Sequence, residues 1–315
     1  MRQKTILVTG VCGFIFSNFI RHVTKFYPGY RWVGVDKLVK EFNMDNMYEH
    51  PGYKFYVADI SDKHTMERIF QIEKPDIVIG GAAESFVDNS ITDIMPFLQS
   101  NVIGTQVLIN ACLKFNVTKY IHISTDEVYG EQLSQSATPW TEKSPLAARN
   151  PYAASKAAAE LIVTSAHETH GLQYQMTRSC NVFGPRQKFD NLIPMLINNM
   201  LAGKPVKIHG NGSNFRQYIF VQDKIDAIMK ILQDGAINTT YNIGAYNYYT
   251  NLEMVSQVAA ALGKKDFDIE FIPDRKAHDF GYSVSNAKLQ YIGWQPKHEF
   301  CAALYQTVQS YKVKP

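Results

Sequence analysis

Cysteine is scarce, with four in 315 residues and no CxxC pair among them. Cys12, Cys112, Cys180 and Cys301 therefore suggest neither a disulfide framework nor a zinc site, and no metal is expected. They read as buried thiols in a reducing cytosol. Long apolar runs are also missing. None reaches the ~18 residues that a membrane helix needs. The opening MRQKTILVTG has too short an apolar stretch for a secretory signal and reads as a first strand. Net charge is small: 32 basic against 29 acidic residues leave +3, which argues against nucleic acid or an anionic membrane as partner. With 45% apolar and 19% charged residues, the chain is expected to be globular and cytoplasmic, with one large domain or two ordinary ones.

The first half alternates in hydrophobic period. TILVT and WVGV are short β-branched runs, and FIFSNFIRHVTKF between them has helical spacing. The series continues with strand Tyr53–Val57, helix HTMERIFQI, strand Asp76–Ile79, a long helix FLQSNVIGTQVLINACLKF and strand KYIHIS. This predicts an α/β fold, a Rossmann-type doubly wound parallel sheet with helices on both faces. After residue 180 Gly and Pro become frequent. YIFV then leads into DKIDAIMKIL, so the chain is expected to return to the main domain around 215–250. The remainder reads as a smaller C-terminal α/β region.

The turn from Thr9 to Ile15 joins the first strand to the first helix. Gly10 permits a tight turn, and Gly13 lets backbone N–H groups approach a pyrophosphate at the helix N-terminus. A third glycine is usual at position 16, where Phe16 stands. Asp36 ends the second strand. A carboxylate there accepts hydrogen bonds from a ribose and repels a 2′-phosphate, which favours NAD over NADP. The bland alternatives are an ordinary turn and a helix cap.

Two further clusters carry chemistry. Tyr152 and Lys156 are four residues apart on a predicted helix and share a face. A nearby ammonium is expected to lower the pKa of the phenol, making Tyr152 a proton acceptor for an alcohol. Thr125, Asp126 and Glu127 lie at the carboxyl end of the KYIHIS strand, where ligands of open α/β sheets bind. Burial and mutual repulsion are expected to keep one of the two carboxyls protonated. An acid beside a base suits elimination of water. A solvated acidic turn and a surface Tyr–Lys pair are the alternatives.

These residues together make the chain resemble the extended short-chain dehydrogenase/reductases, and among them the nucleotide-sugar 4,6-dehydratases. The match includes TGVCGFI, VDKL (35–38), ADI (58–60), AAESFVDNS (82–90), STDEVYG, NPYAASKA, NVFGP, NLIP, NGSNFRQYIFVQD and RKAHDFGY. The resemblance implies that Gly10, Gly13, Phe14, Ile15, Asp36, Lys37, Asp59, Ile60, Ala82, Tyr152 and Lys156 contact NAD. It implies that Thr125 bonds the sugar 4-oxygen, Tyr152 takes the O4 proton, Glu127 removes the C5 proton and Asp126 protonates the departing C6 hydroxyl. Ser85, Asn181, His209, Arg216, Asn251, Arg275 and His278 are the implied nucleotide-sugar contacts. Residues 1–180 are then the NAD-binding Rossmann domain, and 181–214 with 251–315 the nucleotide-sugar region. A homodimer is implied, built from the helices near 95–115 and 152–170.

Phe86, Asn89 and Asn191 depart from the bacterial dTDP-glucose pattern. The VDNS run and the KIHGNGSN loop look more like the UDP-glucose 4,6-dehydratase portion of plant rhamnose synthases. The substrate expected is therefore UDP-linked, UDP-glucose or UDP-N-acetylglucosamine. The alternatives are dTDP-glucose, a nucleotide-sugar 4-epimerase, added C5 epimerisation, and a non-enzymatic NAD-sensing scaffold.

Overall fold

A computed structural model describes residues 2–38, 44–274 and 276–312. Seven parallel strands form the main sheet: β1 Lys4–Thr9, β2 Tyr30–Asp36, β3 Tyr53–Val57, β4 Ile77–Gly80, β5 Lys119–Thr125, β6 Tyr174–Ser179 and β10 Thr239–Ile243. Their order is β10-β6-β5-β4-β1-β2-β3. The order runs outward from β1 in both directions, so the crevice that binds ligands in such sheets falls beside the carboxyl end of β1.

The central strands β1 and β4 carry runs of apolar residues because both faces are covered. Along β1, Ile6 and Val8 enter one core and Leu7 the other. Helix α1 (Phe14–Phe26) buries Phe16, Phe19, Ile20 and Val23 at helical spacing. The other helices are α2 Lys63–Glu73, α3 Val87–Thr92, α4 Met95–Phe97, α5 Gly104–Lys114, α6 Pro151–His170, α7 Leu192–Leu201, α8 Val221–Asp234, α9 Asn251–Leu262, α10 Ala287–Tyr291 and α11 Phe300–Lys312. Strands β7 Asn181–Phe183, β9 Phe215–Phe220, β11 Asn247–Thr250 and β13 Gly281–Tyr282 make a second sheet, and β8 Val206–His209 pairs with β12 Ile269–Ile272.

Three expectations change. The long helix over 97–115 is interrupted by a π-helical turn at Leu98–Ile103. That turn aims Asn101 inward, where it is buried, and such turns recur at functional sites. The segment at 215–220 belongs to the second sheet through its pairing with β7 and β11. The chain rejoins the main layers only at α8 and β10. Of the four free thiols, Cys301 is exposed, because it lies on the solvent side of the C-terminal helix; the other three are buried. Among the described residues no helix is long and apolar enough to cross a membrane.

Candidate active site

Gly10 has φ +78°, and a Cβ there would lie 2.8 Å from the Ala82 Cα. The turn therefore takes glycine for both its backbone conformation and its closeness to the loop after β4. Thr9 accepts the Gly81 and Ala82 amides through its hydroxyl, at 3.0 Å each, which holds that loop against the turn. Gly13 caps α1 without a side chain, so the first-turn amides, including those of Phe14 and Ile15, have no side-chain acceptor. This is a donor set suited to a diphosphate. Asp36 accepts the Cys12 amide at 3.0 Å and the Leu38 amide at 3.0 Å, one on each oxygen. Both oxygens are steered, and each keeps a lone pair for a ribose. Ile60 is buried and packs against Gly104, and Asp59 accepts Ser61. These residues fit a dinucleotide with an unphosphorylated ribose. Lys37 is engaged by Glu84 at 2.7 Å.

Thr125 ends β5, and Asp126 and Glu127 begin a single 3-10 turn, Asp126–Tyr129. Asp126 is 2% exposed, and its Oδ2 has no hydrogen-bond partner. Burial, reinforced by the charge of Glu127, raises its carboxyl to about 8; Arg216 opposes the shift. Asp126 is thus an acid at neutral pH. Glu127 is only half-buried and accepts the Asn150 amide at 3.0 Å. The Thr125 hydroxyl donates to Asp126 Oδ1 at 3.4 Å and accepts the Glu127 amide at 3.3 Å.

Tyr152 and Lys156 lie on one face of α6, both buried. The Lys156 ammonium donates to the Ile123 carbonyl at 2.6 Å. Burial lowers its pKa to about 8, against the pull of Glu160. Tyr152 is raised above the ordinary phenol range by burial and the Glu127 charge. The expected lowering by Lys156 is absent here, because the ammonium is bound to a backbone carbonyl and desolvation dominates the phenol.

The residues expected to hold substrate are dispersed. Ser85 is exposed after β4, Asn181 is exposed at the start of β7, and Asn251 begins α9. His209 and His278 have rings 6.1 Å apart. The His278 Nδ1 lies 2.5 Å from Asp274, and that of His209 lies 3.1 Å from the Pro273 carbonyl. Arg216 is 8% exposed and stacks on Tyr282. Its fork donates to the Phe215, Phe280 and Asp279 carbonyls, which uses part of the donor set expected to face phosphate. Arg275 lies outside the described residues.

Several supporting residues escaped sequence reasoning. Asn150 caps α6 by accepting the Ala153 amide at 2.8 Å while its amide reaches Glu127. The Asn-Pro dipeptide before YAASK is a helix-start signal that could have located it. Ser90 accepts the Tyr152 amide at 3.2 Å. Arg178 forks onto Glu160 and reaches the Tyr129 hydroxyl at 2.8 Å, tying α6 to β6 and the turn after β5.

Residues 6–244 match the family described as "NAD dependent epimerase/dehydratase family". The low-salt glycan biosynthesis protein Agl12 of Haloferax volcanii is 39% identical over 97% of this chain and 98% of its own. The dTDP-glucose 4,6-dehydratase of Neisseria gonorrhoeae is 36% identical, over 98% and 96%. Streptomyces venezuelae DesIV, a dTDP-glucose 4,6-dehydratase solved with NAD bound, superposes with a TM-score of 0.93 at 34% identity, over 98% and 97%. The chain belongs to the NAD-dependent epimerase/dehydratase family, within the extended short-chain dehydrogenase/reductases. Its place there is among the NAD-dependent nucleotide-sugar 4,6-dehydratases.

Proposed function

We propose that the chain converts dTDP-glucose to its 4-keto-6-deoxy derivative by removing water across C5 and C6. The observation that carries this is the unequal carboxyl pair. Asp126 is buried with one oxygen unpartnered, and Glu127 is half-buried and oriented by Asn150. One environment makes an acid and the other a base. A 4-epimerase needs no such pair. The dTDP reading takes the place of the UDP expectation because whole-length relatives carry that substrate in their names; the VDNS run and the KIHGNGSN loop are the sequence features that favour UDP.

When bound, NAD supplies the hydride chemistry: removal of a hydride from C4, which makes the C5 hydrogen acidic, and return of the same hydride at C6 once water has left. The glycine turn and Asp36 hold its pyrophosphate and ribose. Tyr152 receives the O4 proton as a phenolate, the form that the cationic nicotinamide of bound NAD would stabilise against the burial that raises the phenol, and Thr125 bonds that oxygen. Glu127 removes the C5 proton, and Asp126 protonates the departing C6 hydroxyl. Glu127, half-buried and able to exchange its proton with solvent, then protonates C5. At that point Tyr152 holds one proton more than at the start and Asp126 one fewer. Proton exchange with solvent between turnovers resets them.

Asn181, His209, Arg216, Asn251, Arg275 and His278, with Ser85 from the main domain, hold the nucleotide and sugar. The functional unit is a homodimer. Met95, Ile103 and Leu161 are 64%, 47% and 62% exposed on the helices that build its contact.

Product analysis by NMR with dTDP-glucose, UDP-glucose and UDP-N-acetylglucosamine tests the assignment. A 6-deoxy methyl doublet and a 4-keto carbon are expected with dTDP-glucose. Formation of a C4 epimer without loss of water contradicts it.

A further inference from the structure

Lys37 and Glu84 meet across the cofactor groove. Lys37 is one residue beyond the end of β2 and Glu84 four beyond the end of β4. Strand β1, with its glycine turn, lies between them. Two strand spacings are about 10 Å, a gap these two long side chains close with a 2.7 Å contact between Nζ and Oε1. Glu84 is presented rather than loose. Asn101, from the π-turn, accepts its amide at 2.9 Å and donates to its carbonyl at 3.0 Å. The same Asn101 amide donates to Ser155 at 2.8 Å, and Ser155 donates to the Tyr152 carbonyl at 2.7 Å. One chain of polar contacts therefore runs from the ribose end of the groove to the catalytic helix.

We propose that the Lys37–Glu84 ion pair is a clasp over the bound dinucleotide that slows its release, with Glu84 as a positioning residue held by Asn101. The assignment is independent of the nucleotide the substrate carries. It differs in sign from the simpler role in which Lys37 neutralises the pyrophosphate. If Lys37 acts on phosphate, Glu84 competes with the ligand for the same ammonium. If the pair is a clasp, both members retain the ligand.

The test is the rate at which bound NAD exchanges with isotopically labelled NAD, followed by mass spectrometry on the intact holoprotein. The clasp predicts that Glu84→Gln and Lys37→Met each speed release about three- to fivefold, the range of a half-exposed ion pair. The double variant should be no faster than the faster single one. Release from the unaltered protein should quicken as salt rises from 0.05 to 1 M, roughly the range over which such pairs are screened, and Glu84→Gln should be flat. Slower or unchanged release in Glu84→Gln, with faster release in Lys37→Met, overturns the clasp.

Discussion

The ring of Phe16 fills the space that a side chain at residue 81 would need: a Cβ on Gly81 would lie 2.2 Å from the ring. Phe16 stands where the dinucleotide turn ordinarily has its third glycine, the position at which helix and strand pack closely. The structure places the small residue on the opposite wall instead. Helix α1 stays close to the sheet because Gly81, the first residue after β4, gives way to Phe16.

Phe16→Ala should therefore cost stability rather than cofactor. Removing a ring that is 3% exposed is expected to lower the unfolding free energy by about 3–5 kcal/mol. NAD affinity should stay within about tenfold, since the proposed pyrophosphate donors are the Phe14 and Ile15 amides, which the substitution leaves in place. Gly81→Ala should destabilise by roughly 1–3 kcal/mol through overpacking, and combining it with Phe16→Ala should recover part of the loss. Thermal melts with and without NAD check all three.

The acid role of Asp126 sets a pH dependence. Its carboxyl is raised from 3.8 to about 8, chiefly by burial, so turnover should fall as pH rises through about 8. The folded-state pKa lies above the unfolded one. The stability that Asp126 contributes is therefore full below about 4 and is lost progressively up to about 8. Asp126→Asn should melt at a temperature that rises relative to the unaltered protein across that window. A constant difference from pH 4 to 8 would contradict the raised value.

The Arg178–Glu160 pair should be structural. Both partners are nearly buried and the pairing is forked. Arg178→Met leaves Glu160 buried without its partner and is expected to cost about 3–5 kcal/mol. Replacing both residues with apolar ones of similar size should cost less. Urea unfolding of the two variants checks this.

The doubly wound sheet, its glycine turn and the Tyr152–Lys156 face were legible because each has a strong local signature. Strand runs buried on both faces, a turn requiring positive φ at Gly10 and four-residue helical spacing are all carried by neighbouring residues. The π-turn was not legible, since FLQSNVIGTQVLINACLKF has unbroken helical periodicity and Asn101 is recruited by Glu84 and Ser155, far away in the chain. The environment of Lys156 depends on the Ile123 carbonyl of another element. Arg216 likewise meets its carbonyl partners at 279 and 280 only through the fold.

In the proposed homodimer, association should depend on Leu161, Ile103 and Met95. Leu161→Arg places charge on an apolar face of α6 and is expected to convert a dimer to a monomer. Light scattering after gel filtration reads the mass directly. A dimer that persists in Leu161→Arg moves the contact away from α6.

The central claim is the division of labour between Asp126 and Glu127. It is tested most directly by incubating the unaltered protein, Asp126→Asn and Glu127→Gln with dTDP-glucose in deuterated water and following C5 and C6 by NMR. The unaltered protein should yield a 6-deoxy product with deuterium at C5. Each variant should lose water about 10²–10⁴-fold more slowly. Exchange at C5 should persist in Asp126→Asn, where the base remains, and should be lost in Glu127→Gln. Wild-type rates of water loss in both variants would contradict the assignment and leave a 4-epimerase as the reading of this site.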